Sequence, residues 1–544
     1  MFQVEKQFRP KTLLAICPFA FLKPYYRMIV KINPLFLRLA QLILTGVFHN
    51  IAYLYRKIHK DLISPKGSFK KKLEMPFLSL ILFLGVILRI IDILNASGIE
   101  LDGVFYAKMA EHFSKGNYKE ALNGVFPPFY PMLIAFFYLL INDLEYSGRI
   151  ASTIMGILII LFFYFAIKKM NNKKKALCAS LFIAIHPYLV RFSAQVLSES
   201  TAIFVFTVAI FLFYWGWTEN KSFYTGLSGI LLGFAYLTRP EYIVYIIPMS
   251  IILIFIRRLK HLLLINICFF TIILPYIFYL RLDTGIWIIS KKAILAKEQI
   301  SNSVLAYSYL LPVLPFSAML KNVPFVVYHF FEALFPPFII LLFIGIKEIE
   351  KRFSFFILLL FIFHVISISL MTSSTRRFSV EFVPVLLVFA VAGLSKVEMY
   401  LKRFKKKSIL IFLIFFIIIG LSIFQGIISK DSGRLMNKEA GLIMKAIKGK
   451  KIIASRLPLV SFYSGSEWVN IIDEIKRIKD CEGLIDSFKE KGVNYIVFDE
   501  VLLRFLKEKG ITFNDMERMS DMKCIVNLGH KEEFVRVYRI DYGR

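Results

Sequence analysis

The chain has 544 residues, which is too long for one ordinary globular domain of about 100–200 residues. Hydrophobic residues make up 57% of it, including 56 Phe, whereas soluble proteins average roughly 45–50%. Lys and Arg number 68 against 38 Asp and Glu, a formal net charge of +30. Such a charge is typical of nucleic-acid-binding proteins, but here apolar runs of bilayer length interrupt it. The composition excludes a soluble DNA- or RNA-binding protein and indicates a multi-pass membrane protein.

A membrane-spanning helix needs about 20 mostly apolar residues. Eleven segments are predicted to span, near 76–94, 148–167, 176–190, 200–217, 223–238, 241–256, 262–280, 323–346, 353–371, 378–395 and 408–428. A further apolar stretch, 126–142, is decided by the positive-inside rule, which collects Lys and Arg on the cytoplasmic side. If 126–142 crossed the membrane, the basic cluster at 168–175 would face outside. We therefore predict that 126–142 lies in the outer interface.

This topology places all the main basic clusters in the cytoplasm, at 66–72, 168–175, 257–260, 347–352 and 396–407. Residues 1–75 are predicted to be a basic cytoplasmic segment that lies on the anionic inner leaflet. A spanning helix at 35–54 is the alternative for part of that segment. No cleavable signal pattern is evident in the first 30 residues.

The fold class expected is an α-helical polytopic membrane protein with a small extracytoplasmic α/β domain. The membrane domain covers 76–428 and has long outer loops at 95–147 and 281–322. From 429 to 544 the composition becomes that of a soluble protein, and short β-like runs alternate with helical stretches. This last region lacks a Gly-rich phosphate loop, so no nucleotide site is predicted there.

The predicted spans contain few ionisable residues, chiefly Arg89, Asp92, Glu332 and Glu381. Proton-coupled carriers usually place carboxylates or His near the membrane midplane, so this pattern favours an enzyme. The alternative function is a lipid or polysaccharide transporter such as a flippase, which makes no covalent product. A catalytically inactive relative whose α/β domain binds a partner is a third alternative. The five Cys show no metal-ligand spacing and define no disulfide framework.

The first outer loop opens with NASGIELDGVFYAKMAEHFSKGNY, in which Asp102 follows the first predicted span. A carboxylate at the membrane surface can act as a general base, and it can equally cap a helix. Glu100 could share a substrate or a divalent metal with Asp102, but two carboxylates are too few ligands to predict a metal site. Residues 103–114 are predicted to form a helix in the membrane interface.

Three arginines lie in short outer turns, Arg239 in LTRPEY and Arg376 and Arg377 in TRRFSV. Positive charge in such turns runs against the topological bias. A bound phosphate would explain it, because Arg recognises phosphate well. The alternatives are snorkelling and pairing with Glu241 or Glu381.

Glu199 stands in LSES at the start of a predicted span. It could bind sugar hydroxyls or steady the phosphate ligands, or the dipole of its helix could stabilise it there. Arg191 and His186 are predicted to face the same side. His186 precedes Pro187, and this pair is expected to end a helix.

Six segments resemble, in their order and spacing, the GT-C class of polytopic glycosyltransferases. They are LDGVFYAKMAEHFSKGNY, PPFYPMLIAFF, SGRIASTIMGILIILFFYFAIKK, HPYLVRFSAQVLSES, LTRPEYIVYIIP and RRFSVEFVPVLLVFAVAG. That class includes the protein O-mannosyltransferases and the enzymes that add aminoarabinose to lipid A. The resemblance covers roughly 76–395 and implies transfer of a sugar from a polyprenyl-phosphate carrier at the outer face. By position it implies that Asp102 is the base and that Glu199 belongs to the site.

We therefore expect an inverting membrane glycosyltransferase of the cell membrane with an extracytoplasmic active site. Asp102 takes the proton of the acceptor hydroxyl, and cations stabilise the leaving phosphate. The predicted donor-phosphate or substrate ligands are Glu100, Glu199, Arg191, Arg239, Arg376 and Arg377. No cofactor is predicted beyond the lipid-linked sugar donor, although a divalent metal is possible. The expected partners are membrane lipid and a glycan, lipid or protein acceptor.

Overall fold

The computed structural model describes residues 74–170, 173–291, 316–370, 376–401, 403, 417–418, 420–422, 432–477, 481–508, 521–530 and 533–542. They belong to one compact unit, residues 71–544. A helical part is followed by an α/β domain, by which we mean residues 432–542. The predictions for 1–73, including the alternative span at 35–54, lie outside the described residues. So does most of the predicted span 408–428.

The helical part is built from α1 (Glu74–Asn95), α2 (Leu101–Ser114), α3 (Tyr118–Leu122), α4 (Phe129–Ile141), α5 (Leu144–Met170), α6 (Lys173–Ile185), α7 (Pro187–Ala194), α8 (Glu199–Thr218), α9 (Ser222–Tyr236), α10 (Ile246–Phe255), α11 (Leu259–Thr284), α12 (Phe316–Leu334), α13 (Pro336–Gly345), α14 (Lys351–Ser369), α15 (Arg376–Ser379) and α16 (Val383–Leu401). Short 3-10 turns lie at Pro240–Tyr245, Ile346–Glu348 and Val380–Phe382. Six described helices, counting Arg376–Leu401 as one, are long and apolar enough to cross a membrane, or eight if each of two bent pairs is one span. The chain is thus a multi-pass membrane protein.

Three of the predicted spans correspond to short or broken helices. The span predicted at 176–190 consists of α6 and α7, which meet at His186 with a bend of 56°. The break was expected, because a residue before proline disfavours the helical conformation and Pro187 suits a helix start. The spans predicted at 223–238 and 241–256 correspond to shorter helices, α9 with 15 residues and α10 with 10.

The span predicted over 323–346 is not one continuous helix, because the chain bends by 98° at Phe335. Asn322, near the start of α12, donates through Nδ2 to the last carbonyl oxygen of α14 (3.2 Å). Near the other end of α12, Glu332 pairs with Arg376, the first residue of α15 (2.8 Å). Both contacts lie at the same end of the helix bundle, so α12 runs across that end and does not cross the bundle from one end to the other. The proline after Phe335 explains the break.

Four of the five predicted cytoplasmic clusters meet at one end of the helical part. Contacts join Glu74 to Lys168 and Lys173, Glu219 to Lys169 and Lys221, Glu398 to Lys174, Glu348 to Lys396, and Asn220 to Arg258. We call this the basic end, and the opposite end, where α1 ends and α2 begins, the site end. The fifth cluster, 66–72, lies outside the described residues. The shared side that the sequence predicted is therefore confirmed for the other four clusters.

Two short helices cover the site end. Helix α4, within the ambiguous stretch 126–142, has 13 residues and a length of about 20 Å, less than the ~30 Å hydrocarbon core of a bilayer. Helix α2 covers the helix predicted at 103–114 and packs on α4, where the rings of Tyr106 and Tyr130 meet edge to face at 5.0 Å. The length of α4 agrees with the prediction that 126–142 does not span.

The α/β domain contains α17 (Ser432–Ala446), β1 (Ile452–Ser455), α18 (Leu459–Ser464), β2 (Glu467–Asn470), α19 (Ile471–Arg477), α20 (Cys481–Glu490), β3 (Tyr495–Asp499), α21 (Glu500–Glu508), β4 (Asp521–His530) and β5 (Glu533–Asp541). The strand order is β2-β1-β3-β5-β4. Strands β2, β1 and β3 are parallel, and β5 is antiparallel to β3 and β4. Alternating apolar residues of these strands, such as Ile496 and Phe498, pack against Leu484 and Phe488 of α20. Short β-like runs therefore predicted the α/β architecture.

Candidate active site

A cavity of about 410 Å³ lies at the site end, where α2, α7, α15 and α17 meet. It is lined by Glu100, Leu101, Asp102, Tyr188, Arg191, Phe192, Gln195, Leu197, Arg376, Arg377 and Arg434. Four of these side chains are arginines and two are carboxylates, so the cavity carries excess positive charge. Five of the seven residues that the sequence singled out line it, although they come from three separate parts of the chain.

Asp102 is the second residue of α2 and faces the start of α15. Its Oδ2 accepts a hydrogen bond from Arg377 Nη2 at 3.0 Å, and both side chains remain partly exposed (29% and 37%). Asp102 does not occupy the cap position of α2, which belongs to Glu100, and Glu100 makes no side-chain cap bond. The helix-capping alternative for Asp102 is therefore not what the structure shows. An ion pair at the cavity wall holds the carboxylate instead.

Glu199 lies behind the cavity wall at the first position of α8. It is 2% exposed, and its Oε1 accepts from Arg377 Nε (2.6 Å) and from Arg239 Nη1 (3.0 Å). A buried carboxylate is costly unless it is paired and hydrogen-bonded. Two guanidinium groups meet that need at Oε1, whereas the buried Oε2 has no hydrogen-bond partner among the described residues. Arg239 also donates through Nε to Glu241 Oε1 (2.6 Å), one of the partners that the sequence offered. Neither Glu199 nor Arg239 is among the cavity-lining residues. Glu199 binds Arg377 from behind, and Arg239 is linked to Arg377 only through this shared carboxylate.

Arg376 connects the cavity to α12. Its Nη1 donates to Glu332 Oε1 (2.8 Å), and its guanidinium lies 5.1 Å from the ring centre of Tyr188. Glu332 is also paired with His329 (3.0 Å). The other acid offered as a partner for these arginines, Glu381, instead accepts from Tyr245 in the bundle. Helix α12, which the sequence predicted to span, is thus tied to the wall of the cavity.

Glu100 supports the turn that leads into α2. It is 5% exposed, and its Oε2 accepts from the backbone N–H of Val196 (3.0 Å). Its Oε1 lies 3.4 Å from Arg434 Nη1. Burial raises the pKa of Glu100, while the charges of Arg149 and Arg434 oppose that rise. Within the described ranges, no three His, Cys, Asp or Glu side chains converge as a metal site.

Arg149 of α5 joins the two chain segments beside the cavity. It is 2% exposed, and its Nη1 donates to the Ala194 carbonyl (2.8 Å) while Nη2 donates to the Gly98 carbonyl (2.9 Å). Glu145, one helical turn earlier, accepts from the same guanidinium at 2.7 Å. The turn that carries Glu100 and leads into α2, whose second residue is Asp102, is therefore fixed to the end of α7 by one buried side chain.

The α/β domain contacts this same turn. Tyr463 of α18 accepts from the backbone N–H of Ile99 (2.7 Å) and donates to Glu145 Oε2 (3.0 Å). Lys438 of α17 donates to the same carboxylate oxygen at 2.8 Å. Leu459 of α18 packs in one buried cluster with Ile99. The α/β domain thus forms part of the support of the cavity.

Sequence analysis missed Arg434, Tyr188, Arg149 and Glu145. The last two carried a signal, because opposite charges four residues apart at the start of an apolar helix indicate a pair. Arg434 had none, since its position depends on how the α/β domain packs on the helices. His186, which was expected on the same side, is buried, and its ring nitrogen Nε2 lies 3.2 Å from the Leu334 carbonyl.

Comparisons with known proteins agree on the architecture. Residues 126–279 match the model of the family described as dolichyl-phosphate-mannose-protein mannosyltransferase. No curated protein is significantly similar to the chain. Among solved structures the chain is similar to apo ArnT from Cupriavidus metallidurans, with a TM-score of 0.59 at 11% identity, covering 85% of this chain and 98% of that one.

Two ligand-bound structures are also similar to the chain. ArnT from Cupriavidus metallidurans bound to undecaprenyl phosphate has a TM-score of 0.58 at 13% identity, covering 87% of this chain and 98% of that one. Archaeal oligosaccharyltransferase AglB from Archaeoglobus fulgidus, in complex with an inhibitory peptide and a dolichol-phosphate, has a TM-score of 0.51 at 14% identity, covering 88% and 75%. At these identities the likeness is one of fold. The chain has the GT-C fold of polytopic membrane glycosyltransferases.

Proposed function

We propose that this protein transfers a sugar from a polyprenyl-phosphate-linked donor to an acceptor hydroxyl, with inversion at the anomeric carbon. The observation that carries the proposal is that Asp102 shares one cavity with four arginines. Such a cavity offers a proton acceptor beside a site for phosphate. Structurally similar proteins that have been solved with undecaprenyl phosphate or dolichol-phosphate support the same donor class.

In this proposal Asp102 is the general base. In the proposed reaction the acceptor oxygen forms a bond to the anomeric carbon while the bond from that carbon to the phosphate oxygen breaks. The hydroxyl proton passes to Asp102, and the polyprenyl phosphate leaves with the electron pair of the broken bond. Attack from the face opposite the leaving group inverts the configuration. Arg377 holds one carboxylate oxygen of Asp102 and so orients the group.

In this proposal the arginines of the cavity stabilise the leaving phosphate. Negative charge develops on the phosphate as it departs, and preorganised cations that face that charge lower the barrier. Guanidinium groups suit this task because they stay charged and match two phosphate oxygens at once. Arg191, Arg376 and Arg377 line the cavity and were predicted for this role, whereas Arg239 lies outside the lining and pairs with Glu199, the carboxylate that also binds Arg377.

The proposed site is extracytoplasmic. The basic end collects the lysines and arginines of four clusters, and the cavity lies at the opposite end. Under the positive-inside rule the basic end faces the cytoplasm. A membrane-embedded carrier lipid would then present its sugar on the outer side of the cell membrane to a glycan, lipid or protein acceptor.

The full-length protein in proteoliposomes provides the test. A panel of undecaprenyl-phosphate-linked hexoses and pentoses, labelled in the sugar, is supplied with a cell-envelope extract as acceptor. We expect label in a new covalent product, with protein-free liposomes as the control. Label that crosses the bilayer on an unchanged carrier, without a product, would contradict the proposal and favour the flippase alternative.

A further inference from the structure

A second buried polar cluster lies inside the helix bundle. It consists of Tyr245, His364 and Glu381, which are 1%, 1% and 3% exposed, and we call these three residues the inner cluster. The His364 Nδ1 atom lies 2.7 Å from the Tyr245 hydroxyl oxygen and 3.1 Å from Glu381 Oε1. The Tyr245 hydroxyl donates to the same carboxylate oxygen. None of the three residues lines the cavity, and the proposed transfer step does not use them.

The chemistry of the three groups fixes the directions of these hydrogen bonds. A carboxylate can only accept, so Tyr245 gives its single hydroxyl proton to Glu381. The Tyr245 oxygen then accepts from His364, which places the ring proton on Nδ1. The hydroxyl of Tyr245 is thus the middle member of a directed chain. Its removal would leave the buried Glu381 and the buried His364 both without this partner.

Two short chain segments connect the inner cluster to the cavity wall. We call 376–382 the arginine segment and 239–245 the turn segment. Near their starts, Glu199 joins them, because its Oε1 accepts from Arg377 (2.6 Å) and from Arg239 (3.0 Å). The Arg239 guanidinium also lies 5.1 Å from the ring centre of Phe378 in the arginine segment.

The inner cluster joins the same two segments at their other ends. Tyr245 ends the turn segment, and its hydroxyl binds Glu381 of the arginine segment. The rings of Tyr245 and Phe382 also meet edge to face at 5.9 Å. His364 of α14 closes the cluster, with its ring 4.9 Å from that of Phe382. The arginine segment is therefore held near both ends, by Glu199 at one and by the inner cluster at the other.

We infer that the inner cluster positions Arg377, and through it Asp102, so that its three members are positioning residues of the proposed transfer. The inference rests on the proposed function for the reaction itself. Glu381 lies one helical turn after Arg377, so a displacement of Glu381 moves the start of α15. Arg377 and Asp102 are 3.0 Å apart, and a shift of about 1 Å would break their hydrogen bond. Misplacement of this size at a reacting centre can cost about 100-fold in rate.

Sugar transfer by the full-length protein in proteoliposomes tests the inference. Tyr245→Phe and Glu381→Leu should each lower kcat by roughly 10- to 100-fold. Glu381→Gln should recover most of the loss seen in Glu381→Leu, because its side-chain carbonyl can still accept from Tyr245. The matched control is Tyr164→Phe, which removes a buried tyrosine hydroxyl that donates to Glu74 at the basic end and should leave kcat unchanged.

A double-mutant cycle separates positioning from a general loss of folded protein. In protein that already carries Arg377→Gln, Tyr245→Phe should cause no further fall in kcat, because the residue through which the inner cluster acts is absent. A further fall as large as that in the wild-type background would overturn the inference. So would equal kcat values for Tyr245→Phe and Tyr164→Phe, and in both cases the proposed function stands. If wild type forms no product at all, the proposed function fails, and the inference fails with it.

Discussion

Arg377 Nη2 lies 3.0 Å from Asp102 Oδ2, and this contact joins two residues that are 275 positions apart in the chain. The same guanidinium donates through Nε to the buried Glu199. Helices α2, α8 and α15 therefore meet at one side chain. The orientation of the proposed base, Asp102, therefore depends on Arg377 at the start of α15, which lies late in the sequence of the membrane part.

The first prediction concerns Arg377. Arg377→Gln should lower kcat/KM by roughly 100-fold, a loss typical of removing one preorganised electrostatic group at a reacting centre. Arg377→Lys should recover little of it, because one ammonium does not reproduce the fork that reaches both carboxylates. Steady-state transfer of labelled sugar measures the effect. Arg352→Gln, at the exposed start of α14 on the basic end, is the control, and equal activity of the two Gln variants would contradict the role of Arg377.

The second prediction concerns stability. Glu199→Gln removes the charge that Arg239 and Arg377 share, and breaking a buried pair of this kind costs about 3 kcal/mol or more. Glu219→Gln breaks exposed pairs with Lys169 and Lys221 at the basic end, which are worth about 0–1 kcal/mol. Thermal unfolding of both variants in one detergent provides the comparison. We expect a clearly lower midpoint for Glu199→Gln, and a midpoint equal to that of Glu219→Gln would show that the network carries no stability.

The third prediction concerns the contact of the α/β domain with the turn before α2. Tyr463→Phe leaves the buried N–H of Ile99 without its acceptor, at a cost of about 1–3 kcal/mol. Because that turn leads into α2, whose second residue is Asp102, we expect a large fall in kcat and a smaller change in KM. Tyr542→Phe removes a similar hydroxyl, bound to the Val493 carbonyl inside the α/β domain, and should leave kcat unchanged. Kinetic and unfolding measurements on both variants test this prediction. Equal kcat values for the two variants would contradict a positioning role for Tyr463.

The fourth prediction tests the close packing of α13 on α16. A Cβ atom at Gly393 would overlap the Leu341 carbonyl, so Gly393→Ala should destabilise the protein by roughly 1–3 kcal/mol. A Cβ at Gly420 meets no atom of the part of the chain that the structure describes, and Gly420→Ala should be neutral or stabilise by up to about 1 kcal/mol. The unfolding midpoint of Gly393→Ala should therefore fall, whereas that of Gly420→Ala should stay constant or rise.

Some residues of the candidate site could be predicted from the sequence immediately around them. Arg376 and Arg377 were found because positive charge in a short outer turn is unusual in a membrane protein, and Asp102 because it follows the end of the first predicted span. The break at Phe335 also had a local signal, two prolines in sequence, but the long apolar run around it favoured a straight span. The burial of Glu199 could not be predicted from its neighbours in sequence, because its partners are distant in the chain. Arg239 follows α9, and Arg377 belongs to α15.

The places of Arg434 and Tyr463 beside the cavity could not be predicted from the sequence. Both belong to a domain with its own sheet and core, and nothing in their neighbourhood distinguishes them from other polar residues of a soluble domain. Their roles arise when α17 and α18 pack against the turn at 98–100. That packing is a tertiary property and depends on the shapes of two separately formed surfaces.

The central claim is that the Asp102 carboxylate accepts the proton of the acceptor. Asn has nearly the same shape and can still accept a hydrogen bond from Arg377, but it cannot take a proton at neutral pH. The decisive measurement is sugar transfer by Asp102→Asn, with undecaprenyl phosphate binding as the check on folding. We predict normal binding and a fall in turnover of about 10²- to 10⁴-fold, the contribution typical of general base catalysis. Normal binding with full turnover would contradict the assignment of Asp102 as the base.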